Sequence, residues 1–181
     1  MRLVMLLALL ILLPLPAAAQ DLFAEDPIIE AAKSGNLARL RAVLVRGVNV
    51  NRRDRQGRTP TALAALAGNQ AMIELLLAER PLLELKDKQG YTALHLAAAN
   101  GHAEVVAALI GAGAKVDAAN DNGETPLMRA AANGDLRIVR TLIDAKTDLQ
   151  LTDYTGRSAL DYARDGRNRS VAQALEAAGA R

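Results

Sequence analysis

The residues that could do chemistry are few and badly spaced for it. The two histidines, His95 and His102, do not have the HExxH spacing of a zinc hydrolase helix, and no GxxxxGK phosphate loop occurs. Acyl transfer needs a nucleophile beside a base, but Ser34, Ser158 and Ser170 read as a helix-end residue, a helix cap and a residue of the last helix. The acids Asp117 and Asp121 lack further ligands for a metal, and the chain has no cysteine for thiol, disulfide or thiolate-metal chemistry. The expectation is a non-enzyme with no catalytic residue, metal or cofactor. The one dense charge cluster is Arg52, Arg53, Arg55 and Arg58. It is isolated in a chain of formal net charge +2, which speaks against nucleic acid and for an acidic protein surface as its complement.

These residues sit in a sequence that repeats every 33 residues without insertion or deletion. Gly57, Gly90, Gly123 and Gly156 fall in register, as do Thr59, Thr92, Thr125 and Ser158, and so do Ala31, Ala64, Ala97, Ala130 and Ala163. Such a period marks a solenoid in which each unit buries its apolar face only against its neighbours.

Each recurring residue has a local reason. The Thr and Ser hydroxyls cap a helix, and Pro60 and Pro126 follow where a missing N–H costs nothing. That helix runs about eight residues through alanines and stops at Gly68, Gly101 or Gly134, which accept the left-handed cap conformation. Asn36, Asn69, His102, Asp135 and Asn168 then open a second helix, mostly as good cap types. Its Leu40, Ile73, Val106 and Val139, with Val43, Leu76, Leu109 and Leu142 one turn on, predict a continuous core. The remaining dozen residues of each unit, rich in Gly, Asn and Asp, predict a turn and a short hairpin-like finger.

TALHLAAANGHAEVVAALIGAGAKVDA and GETPLMRAAANGDLRIVRTLIDA resemble ankyrin repeats, and the resemblance spans residues 24 to 181. It implies an all-α ankyrin-repeat solenoid of about five helix-turn-helix units with short finger loops. The units fall near 24–56, 57–89, 90–122, 123–155 and 156–181. The first lacks the TPLH start, as a capping unit would, and the fifth ends without a finger. The second has Arg80 and Pro81 where glycine is usual, so its turn is expected to differ. Both histidines fall where the ankyrin pattern itself has His for helix and turn hydrogen bonds.

Ahead of the repeats, residues 1–19 carry Arg2, an apolar run from Leu3 to Leu13, two prolines and Ala17-Ala18-Ala19. The run is shorter than the ~20 residues that cross a bilayer, and a small-residue cleavage site follows. It reads as a signal peptide cleaved after Ala19, leaving residues 20–181 as one domain without a stable membrane anchor. Its removal takes away only Arg2, so the charge falls from +2 to +1. Arginine outnumbers lysine and alanine is abundant, which suits a bacterial source and a periplasmic or secreted product. Phe23 is expected to pack on the first helix pair.

The resemblance also implies where a partner would sit, since family members usually hold proteins on the concave side formed by finger tips and inner helices. Carried over by position, the partner-binding row is Arg55, Arg58, Lys88, Tyr91, Asp121, Glu124, Tyr154 and Arg157. Its N-terminal half is basic and its third finger acidic, and Tyr and Arg are frequent interface anchors. Leu66, Ala67, Ala99, Asn100, Ala132 and Asn133 would form a smooth floor, while Tyr162, in register with Leu63 and Leu96, reads as core. The expected function is a monomeric, non-catalytic protein-binding module. What resembles it among secreted bacterial ankyrin proteins includes companions of an exported enzyme, stress-resistance helpers, and inhibitors or immunity factors for a toxin. The alternative from another class is a small-molecule or cofactor carrier with His95 or Tyr91 as contacts.

Overall fold

A computed structural model describes residues 25–181; the expected signal segment and Phe23 lie outside the described residues. Ten helices follow in five pairs: α1 (Pro27–Ser34) with α2 (Leu37–Val45), α3 (Pro60–Leu66) with α4 (Gln70–Ala78), α5 (Ala93–Ala99) with α6 (Ala103–Gly111), α7 (Pro126–Asn133) with α8 (Leu136–Asp144), and α9 (Ala159–Asp165) with α10 (Arg169–Ala177). The odd-numbered helices stack in one inner row and the even-numbered helices in one outer row. Among the described residues no helix is long and apolar enough to cross a membrane.

The inner row is held at its closest by alanine. Ala31, Ala64, Ala97, Ala130 and Ala163 are all fully buried, one small residue at the same register of every inner helix, which favours close approach of neighbours. Both rows supply the bulk: Ile28, Ile29, Leu94, Leu127 and Met128 of the inner helices and Leu40, Ile73, Leu76, Val106, Leu109, Val139 and Leu142 of the outer ones are fully buried, and Leu44, Leu77, Ile110 and Ile143 pack partly buried against them.

Caps set the helix starts as the sequence predicts at most units. Thr59, Thr92, Thr125 and Ser158 accept from the third backbone N–H of their helices, as do Asn36, Asn69 and Asp135. His102 and Asn168 do not cap. The His102 Nε2–H donates across the unit boundary to the Leu66 carbonyl at 3.2 Å, and the Asn168 amide donates to the Ala131 and Ala132 carbonyls, each at 3.0 Å. These side chains tie units together where the sequence alone suggested a local role.

The turn after the second outer helix was expected to depart from the pattern, and it does so only in part. Arg80 keeps the left-handed backbone of the glycine register, with φ 50, as Lys146 does with φ 64. What changes is the next hydrogen bond: Ala114 and Thr147 donate backward to Leu109 and Leu142, whereas Pro81 has no N–H to give.

The packing makes two changes predictable. Leu109→Ala leaves a cavity between units and should cost about 2–5 kcal/mol in a urea titration. Lys146→Gly relieves a left-handed side-chain residue and should raise stability by about 1 kcal/mol by the same measurement.

Candidate partner-binding surface

The finger loops are built around one acidic or amide side chain per unit. Asp54 Oδ1 accepts from the backbone N–H of Gln56 and Arg58, and Asp87 Oδ1 from Gln89 and Tyr91. Asn120 Oδ1 accepts from Asn122 and Glu124, and Asp153 Oδ1 from Thr155 and Arg157. Across each finger the same four residues donate their own N–H to the carbonyls of Arg58, Tyr91, Glu124 and Arg157, at 2.9 to 3.0 Å. The only strand-like pairing recorded among the described residues is the isolated bridge between Thr152 and Ser158.

Successive fingers are then joined backbone to backbone. Lys88 N donates to Gln56 O at 2.9 Å, Asp121 N to Gln89 O at 3.4 Å and Tyr154 N to Asn122 O at 3.0 Å. The approach is close enough that a side chain on Gly90 would collide with the Asp121 backbone, and one on Gly123 with Tyr154. The finger row is therefore a single hydrogen-bonded edge rather than four independent loops.

The predicted partner-binding residues divide into two sets. Arg55, Lys88, Asp121 and Tyr154 are exposed at the tips, Tyr154 by 79%. The residues one place after each glycine turn back toward the stack, which corrects their expected position at the tips. Arg58 and Arg157 are half-buried: Arg58 pairs with Asp54 at 2.8 Å, and Arg157 pairs with Asp165 at 2.6 Å while its guanidinium lies 4.1 Å over the Tyr162 ring. Tyr91 is half-buried with its ring edge on His95.

Glu124 departs furthest, being buried at 8% exposure. It accepts from Asn120 Nδ2 at 2.8 Å, faces Arg129 at 3.6 Å, and lies 3.0 Å from the Tyr162 hydroxyl. That hydroxyl is also 2.8 Å from Asp153 Oδ2, so Tyr162 is a half-buried link in a polar network rather than a core residue. Burial pushes the Tyr162 phenol up, and both carboxylates push it the same way. Burial likewise raises Asp153, but donors from the Arg157 backbone, Thr155 and Tyr162 outweigh it and hold the carboxyl at about 2.

His95 is fully buried. Its Nε2 lies 3.0 Å from the Glu124 carbonyl, which can only accept, so that nitrogen carries the proton while Nδ1 accepts from the Thr92 N–H. Burial lowers its pKa to about 4 against the pull of the Glu124 carbonyl. With both nitrogens engaged, His95 has nothing left for a ligand, which removes it from the carrier reading. On the floor, Asn100 and Asn133 spend their amides on the Leu96 and Ala99 carbonyls.

A family model described as ankyrin repeats (3 copies) matches residues 28–120 and again 108–181. The chain belongs to the ankyrin-repeat family. No curated protein matches it. Ankyrin repeats are generally non-catalytic modules for protein–protein interaction, and in this ankyrin chain the fingers are linked into one edge. The register of Asp54, Asp87, Asn120 and Asp153, three residues before each finger glycine, is the sequence signal for that edge.

The buried histidine makes stability depend on pH. The unfolded His95 takes up a proton near pH 6.5 and the folded one only near pH 4, so the unfolded state binds more protons between these values and stability falls as pH drops through that window. The loss should approach about 3 kcal/mol by pH 4 in urea titrations, and His95→Gln should flatten the profile there. Asp153 contributes its own loss only below pH 3.8, so the two effects separate.

Proposed function

We propose that this ankyrin chain is exported, loses residues 1–19, and works as a monomeric, non-catalytic module in the periplasm or outside the cell. Its finger edge holds one partner protein that presents an acidic patch. The observation that carries this reading is the tips of the first two fingers: Arg55 and Lys88 are exposed on a hydrogen-bonded edge, and their cationic heads make no ion pair among the described residues. Arg53 and Lys86, in register beside them, are also exposed and unpaired there. Charges left free on a rigid edge steer association and cost little ordering on binding. Tyr154, laid against Gly123 and largely exposed, supplies an aromatic anchor at the other end of the row.

The partner is the open term, and the roles it would decide among are companion of an exported enzyme, stress-resistance helper, and inhibitor or immunity factor for a toxin. Affinity capture with the processed chain, beside an Arg55→Glu, Lys88→Glu, Tyr154→Ala triple variant, tests the surface. One protein retained by the first and lost by the second is the expected result. Tyr154→Ala alone should weaken that complex about thirtyfold, as a buried anchor worth about 2 kcal/mol requires, with the melting temperature nearly unchanged. Equal capture by both baits would place the site off the fingers. Mass spectrometry of the protein made in a bacterial host should find Gln20 at its N-terminus; an intact Met1 would remove export by cleavage.

A further inference from the structure

Glycine is required at the turn of the third finger. A Cβ on Gly123 would lie 2.7 Å from the Tyr154 ring and 2.9 Å from the Tyr154 backbone nitrogen, so any side chain there would force the third and fourth fingers apart. The residue before the glycine is under no such constraint, and the fingers differ in it: Gln56, Gln89, Asn122 and Thr155 stand in register. Of these fingers, the third alone sets an asparagine before its glycine.

Asparagine in that place carries a chemistry that the other residues lack. The backbone nitrogen of the following residue can attack the side-chain Cγ and close a five-membered succinimide ring, and glycine has no side chain to hinder the approach. Glutamine would have to close a six-membered ring, which is slower, and threonine has no amide to expel.

The sequence holds two further Asn–Gly pairs, Asn100–Gly101 and Asn133–Gly134, so residue type alone does not single out the finger. The structure separates them. Asn100 Nδ2 donates to the Leu96 carbonyl at 2.7 Å and Asn133 Nδ2 donates to the Ala99 carbonyl, which commits both amides to helix backbone. Asn122 is exposed, and its side chain makes no hydrogen bond among the described residues. The three glycine nitrogens are alike in donating to a carbonyl three residues back, at 3.1 Å for Gly123, 3.2 Å for Gly134 and 3.5 Å for Gly101. The nucleophiles are therefore all engaged, and the free amide at Asn122 makes the difference.

We propose that Asn122 is a modification site, the residue at which the folded chain spontaneously exchanges a side-chain amide for an acid. The Gly123 nitrogen gives up its proton and bonds to Asn122 Cγ, the Cγ–Nδ2 bond breaks, and the amide nitrogen leaves as ammonia. Water then opens the ring at one carbonyl or the other, giving aspartate or isoaspartate with no change of oxidation state. Both products set a new carboxylate beside Asp121. Isoaspartate also reroutes the main chain through the side-chain carbon. The oxygen that accepts the Tyr154 N–H at 3.0 Å then belongs to a free carboxylate instead of a peptide bond, so the link between the third and fourth fingers is altered by that product. This inference is independent of any protein partner.

The test is incubation of the purified protein at mildly alkaline pH, with samples taken at intervals for brief trypsin digestion and mass spectrometry beside an unincubated control. The three Asn–Gly pairs fall on separate peptides, 89–115, 116–129 and 130–137. The 116–129 peptide should gain acid about five times faster than either of the others, the factor that one net hydrogen bond on the amide is worth. Fragment ions should place the change at Asn122 and not at Asn120. In guanidinium chloride the rates should converge, because the same reactive pair is then equally free in each peptide. Asn122→Gln, which copies the first two fingers, should abolish the change with the melting temperature nearly unmoved. Faster reaction at Asn100 or Asn133 in the folded protein, equal rates at all three pairs in the folded protein, or a 116–129 peptide that reacts only in the denatured sample would overturn the proposal.

Discussion

The stacking of neighbouring inner helices, each with a fully buried alanine at the same register, is the constraint on which the rest of this structure depends. With Ala64, Ala97, Ala130 and Ala163 fully buried at successive interfaces, the inner helices come close enough to define one spacing along the stack. Everything else inherits it. The outer helices must fill the gap with branched side chains at the same spacing, and the fingers must arrive near enough to share backbone hydrogen bonds, with glycine wherever a Cβ would meet the next finger. A larger residue at the alanine register would push apart helices, outer core and finger edge together.

The fingers solve a different problem, that of exposed loops with backbone groups to satisfy. One carboxylate or amide per finger takes two N–H donors, and its own N–H closes the loop. Little conformational freedom is left to lose on binding, which is what a preorganised recognition surface requires. The groups that build the edge are backbone and Asx atoms, so the tip side chains of Arg55 and Lys88 take no part in building it, while the Tyr154 ring lies against Gly123.

The fold was legible because its determinants recur at one period, and repeated glycines, caps and apolar pairs each point to the same element. The surface was legible by half. Counting outward from the finger glycine identified the tips before it but mistook the residue after it, because the chain has turned back by then and Glu124 points into the stack toward Tyr162 and Arg129. Nothing in the letter E distinguishes an exposed glutamate from one satisfied by an asparagine four residues earlier and a tyrosine 38 residues later. Tyr162 was misread for the complementary reason: its register is apolar in two units, yet Arg129 holds the same position in the third. Arg80, Lys146 and Arg167 show the limit of residue type as a guide to backbone, since all three adopt the conformation of the glycines they replace.

The Glu124 network also makes the edge unequal along its length. In the first two fingers, Asp54 pairs locally with Arg58 while Arg55 and Lys88 remain free. In the last two, Glu124, Asp153, Arg157 and Tyr162 join the third finger, the fourth finger and helix α9 through side chains as well as backbone. Side-chain links between fingers are thus concentrated at one end, while Arg55 and Lys88 are left unpaired at the other. A solenoid couples only neighbours, so the C-terminal fingers can be stiffened in this way without constraining the basic tips. On the proposed function, long-range steering would then rest on the first two fingers, and the aromatic contact on the fourth.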